Sequence, residues 1–115
     1  MTPWYEAGPG VHRTDGSSAD VAADARSHGI TPYVVEDIDE IDAVLRFPDW
    51  YGHNLDALAD CLRDLSWLPE GPLAVICVRP PDRVIVEILA EAAEFSRSGA
   101  RPLYALLLDP PTLPR

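Results

Sequence analysis

The chain has 115 residues, 47% of them hydrophobic, enough to close one core and too few for two independent domains. Its 19 Asp and Glu residues face 9 basic residues, all arginine, for a formal net charge of -10. Such a surface repels phosphate backbones and anionic lipid heads, which argues against nucleic acid and membranes as partners and for a cationic one, although excess acid also serves solubility alone.

In chain order, Pro3, Gly8, Pro9 and Gly10 at one end and Pro110, Pro111 and Pro114 at the other predict loosely ordered termini. The first residues carry neither a basic nor an apolar leader region, and no stretch has the length of a membrane span, so the cytoplasm is the expected location. An edge strand around Val11 to Thr14 and an Ala-rich helix over Ser18 to His28, closed by Gly29, fit residues 1–30, which either add these elements to the sheet edge or form a loosely attached extension to a core at 31–109.

Three apolar runs follow: Tyr33 to Val35, Leu73 to Val78, and Leu103 to Leu108. Each is uninterrupted, as strands of a parallel sheet read when helices cover both faces, and Pro102 and Pro110 hold the last one to strand length. Between them, Asp37 and Glu40 resemble a capping pair, with Ile38, Ile41 and Leu45 at helical spacing before Pro48. The next helix follows Asn54 as cap, with Leu55, Leu58, Leu62 and Leu65 inward and Asp56, Asp60 and Arg63 outward. A third begins near Asp82 and buries Ile85, Ile88, Leu89 and Ala92 until Gly99 caps it, with Glu87, Glu91 and Glu94 in solvent. The expectation is an α/β fold, one domain over 1–115: a small three-stranded parallel sheet flanked by helices, with room for an extra N-terminal strand and helix. Cys61 and Cys77 belong to no CxxC or HxxxH pattern and read as reduced core thiols, so neither a metal site nor a cofactor is expected.

The informative segment is Phe47-Pro48-Asp49-Trp50-Tyr51-Gly52-His53-Asn54, two large aromatics in a loop that leads straight into a helix. Such aromatics either anchor a partner or pack beneath the loop. On that helix Asp56 and Asp60 lie four residues apart, on one face, where like charges repel. They form either a solvated acidic face or a pair awaiting cations.

From Phe47 through Leu62 the sequence closely resembles the signature loop and helix of the barstar family. The resemblance weakens from there to Leu108 and leaves out the first 30 residues. It implies a non-enzymatic inhibitor whose loop and helix enter the active-site cleft of a basic, extracellular, barnase-like ribonuclease in a 1:1 complex; a face carrying Asp56, Asp60 and Glu94 repels its own copy, so the free protein is expected to be a monomer. On that resemblance Asp60 enters the phosphate pocket, Asp56 is a second acidic contact, Trp50 an aromatic anchor, and Gly52 and Asn54 loop and cap positions. Glu94 matches an acidic residue of the later helix, provided that Gly99 aligns with the family's glycine. Two positions depart from the pattern: Ala59 stands where a tryptophan is expected, and His53 where an acid is expected, which makes binding sensitive to mild acid.

Two rival classes stay open. Asp56, Asp60 and His53 could be imagined as catalytic groups, but the chain has no Gly-rich phosphate loop, no G-x-S-x-G elbow and no carboxylate-histidine ligand set. The other is an acidic interaction module, or an immunity protein for a different basic toxin nuclease.

Overall fold

The apolar runs become strands buried on both faces. A computed structural model describes residues 2–109, in which β1 (Gly10–Thr14), β2 (Thr31–Val35), β3 (Leu73–Cys77) and β4 (Leu103–Leu108) form one parallel sheet in the order β1-β4-β3-β2. The sheet therefore has four strands, not three, because residues 10–14 pair in register with Tyr104 to Leu108 and extend it by one edge. All residues of β3 and β4 are buried, and they alternate between two cores. Leu73, Val75, Cys77, Leu103, Ala105 and Leu107 face one, while Ala74, Ile76, Tyr104, Leu106 and Leu108 face the other. Pro32 sits in the edge strand β2, where its missing N–H costs no ladder bond.

Handedness explains which helix covers which face. Right-handed crossovers from β2 to β3 and from β3 to β4 step across the sheet in one direction and place their helices on one side. The crossover from β1 to β2 steps the other way and must use the opposite side. Accordingly α3 (Ile41–Val44), α4 (Leu55–Asp64) and α5 (Arg83–Ser96) cover the first core, while α1 (Trp4–Ala7) and α2 (Ser18–Ser27) cover the second.

Several local expectations hold. Ser17 caps α2 through the Asp20 N–H, and the helix closes with Gly29 at φ 73°, its N–H on the Arg26 carbonyl and the Ile30 N–H on that of Ala25. That is the paired bonding of a glycine-terminated helix, sealed by buried Ile30. Asp82 caps α5 by accepting from the Ile85 N–H.

Others need correction. The N-terminus is ordered by Trp4, which is 7% exposed and packs edge-on against Tyr5 and Tyr104; Pro110, Pro111 and Pro114 lie outside the described residues. Asp37 accepts from the Asp39 N–H, one residue short of a capping box, and so starts a 3₁₀ turn (Ile38–Glu40) ahead of α3. Leu55 is 49% exposed, since the first turn of α4 overhangs the core, and Cys61 joins Leu58, Leu62 and Leu65 inside. Helix α5 ends at Ser96 rather than at Gly99, which does not take a left-handed conformation. The Ser96 hydroxyl makes the closure instead, donating to the Ala93 carbonyl and accepting from the Leu103 N–H at the start of β4.

Candidate functional site

Residues 45–54 form an aromatic nest that carries the loop. Tyr51 packs edge-on against Phe47 at 4.8 Å, and Phe47 packs against Trp67 at 6.0 Å. The Trp67 indole N–H donates to the Leu45 carbonyl at 2.8 Å, which fixes the end of α3 to the far end of α4. The two loop aromatics divide the roles left open by the sequence: Tyr51 is half-buried against the core, whereas Trp50 is 59% exposed, its ring perpendicular to that of Trp67 at 6.5 Å. Burial, then the Asp42 and Cys61 charges, raise the Tyr51 phenol above its ordinary pKa.

The turn into α4 is tight. A Cβ on Gly52 would come within 3.3 Å of the Asn54 side-chain amide, so a larger residue would press on the capping side chain. His53 follows at φ 54°, a left-handed conformation in which a histidine is strained, with its ring 4.7 Å from that of Tyr51. Asn54 then caps the helix, its Oδ1 accepting from the Ala57 N–H at 2.8 Å.

Helix α4 projects Asp56 and Asp60 into solvent, with Ala59 half-exposed between them. Asp56 lies in the first turn, where the helix dipole favours it, and among the described residues it has no ion-pair partner. Asp60 is paired: Arg63 Nη2 donates to its Oδ1 at 2.6 Å on the same helix. The helix also carries Asp64, and the field of this acidic side is felt inward. The Cys61 thiol is pushed up first by burial and then by Asp60 and Asp64.

Trp50, Gly52, His53 and Asn54 thus lie in the loop that enters α4, and Asp56, Ala59 and Asp60 on the solvent side of that helix. Glu94 stands apart on α5, exposed and paired with Arg97 at 3.3 Å. The link between the two helices is a small crevice lined by Arg63 and Asp64 on one side and Phe95 on the other. Three neighbours of the site were not assigned from sequence. Trp67 gave no signal, because its partner Leu45 is 22 residues away. Arg63 was legible as the residue one turn after Asp60. Phe95, 65% exposed, follows from a helix whose inward positions are Leu89, Ala92, Ala93 and half-buried Ser96.

Comparison with curated proteins and with solved structures gave no match. The family model of barstar, the barnase inhibitor, matches residues 36–107, a span that holds the loop, α4 and α5, and the chain belongs to the barstar family.

Proposed function

We propose that this protein inhibits a basic, barnase-like ribonuclease by seating the loop at Trp50 to Asn54 and the outer face of α4 in the enzyme's active-site cleft, one to one. The observation that carries this reading is the pair of exposed carboxylates, Asp56 and Asp60, four residues apart on one face of the helix that follows the exposed Trp50. Such a face repels itself in the free protein and is relieved by cations, so it complements a site built to hold RNA phosphates. Asp60 is the central contact, Asp56 the second, and Trp50 supplies apolar area. Glu94 reaches the same partner from α5 across the Arg63–Phe95 crevice.

Stopped-flow kinetics of Asp60→Ala against a barnase-type ribonuclease tests this. Truncation leaves the partner's cations desolvated without a counter-charge, a cost of about 3–5 kcal/mol that should appear mainly as faster dissociation. Wild-type affinity in the variant contradicts the reading.

A further inference from the structure

A groove of about 430 Å³ opens beside the loop, between the 3₁₀ turn with α3 on one side and the first turns of α4 on the other. Ile38, Ile41, Leu55, Leu58 and Ile85 give it an apolar lining, and its fixed charges are both carboxylates, Asp39 and Asp42. Tyr51, His53 and Asn54 complete the wall, so the groove and the loop share residues, and Leu55 leads directly to Asp56. The exposure of Leu55 leaves an aliphatic side chain in water at the mouth. Asp42 lies near enough to help raise the pKa of the Tyr51 phenol, a sign of a negative field within the groove.

A trough of this kind selects its occupant. An acidic segment is repelled by Asp39 and Asp42, and a purely apolar one strips water from them with no compensating bond. An arginine or lysine matches both parts, laying its aliphatic stem on the isoleucines and leucines and its charged head at the carboxylates.

Resting on the inhibitor reading, the geometry points to this groove as a second contact for the same basic partner: it takes a protruding arginine or lysine side chain of the nuclease, outside the cleft that Asp56 and Asp60 enter. The surface is continuous with the loop, and its charge complements the same partner. A nuclease that lacks a basic side chain at that place is bound less tightly, which makes the groove a determinant of partner choice.

The test compares Asp39→Asn/Asp42→Asn with Asp20→Asn/Asp24→Asn, a control on α2 that changes the net charge equally on the other face of the sheet. Against a barnase-type ribonuclease the groove variant should bind at least tenfold more weakly than the control, mostly through faster dissociation. In the wild-type complex the methyl resonances of Ile38, Ile41 and Ile85 should shift on binding. Equal affinity of the groove variant and its control overturns the proposal, and so do unmoved methyl resonances, whatever the variant does. Loss of binding in Asp60→Ala beside either result places the failure in the groove alone. Full affinity in Asp60→Ala removes the inhibitor reading and the groove with it.

Discussion

Asp60 enters any complex already paired. Its bond to Arg63 is exposed on both sides, with 40% and 63% of the arginine and aspartate side chains accessible, so the pair stabilises the free helix by only a few tenths of a kcal/mol. A partner's cation must share or displace that arginine. Arg63→Ala should therefore associate faster and bind several-fold more tightly, with a slightly lower melting temperature, as calorimetry and stopped-flow would record; weaker binding would mean that Arg63 itself contacts the partner. For Asp60→Ala the lost pair is offset by relief from Asp56 and by the better helix propensity of alanine, so its stability should stay within about 0.5 kcal/mol of wild type.

Cys77 shows the opposite balance, buried with its thiol pushed up from 9.0 to about 11 by loss of water. The folded thiol keeps its proton to higher pH than the unfolded one, so this contribution to stability is whole below pH 9. It is lost as pH rises toward 11, and amounts to about 3 kcal/mol at most. Cys77→Ala should lessen the fall in melting temperature between pH 8 and 10.5. An unchanged fall contradicts this assignment.

At the scale of elements, the first 30 residues matter most. Helix α2, with Trp4, covers Ala74, Ile76, Tyr104, Leu106 and Leu108, and β1 pairs with β4 along its whole length. Removing residues 1–30 uncovers three large aliphatic side chains and a tyrosine, each worth roughly 1.5–3 kcal/mol when buried. The sum is comparable with the whole stability of a domain, about 5–15 kcal/mol. A chain of residues 31–115 should thus show no cooperative thermal transition and should associate, as circular dichroism and sedimentation would report. A sharp transition in that fragment would show that the two-sided sheet is dispensable.

Much of this was legible in the sequence where a local rule decides. Asn54, Asp82 and Gly29 marked helix ends, and the unbroken runs at Leu73 and Leu103 marked strands buried on both faces. The edge strand at Val11 was legible but its partner was not, because pairing Gly10 with Tyr104 depends on topology and not on neighbours in sequence. Leu55 misled for a related reason: helical spacing gives its angle around the axis, but not that the first turn projects past the sheet.

For the whole molecule, the charge of -10 acts at long range, while in the proposed complex Asp56, Asp60 and Trp50 act at contact. Steering by the net charge speeds encounter with a basic partner and is screened by salt, whereas desolvated pairs set the lifetime of the complex. The helices on one side of the sheet hold the loop and α4 in place, and the extension on the other keeps that sheet folded. The central claim is that this acidic surface occludes a ribonuclease active site. Titrating the purified protein into a barnase-type ribonuclease, with RNA cleavage as readout, tests it directly. The account predicts a linear fall in activity to an endpoint at one inhibitor per enzyme, with Asp60→Ala giving shallow, incomplete inhibition. Undiminished cleavage at several-fold excess of the wild-type protein would contradict it.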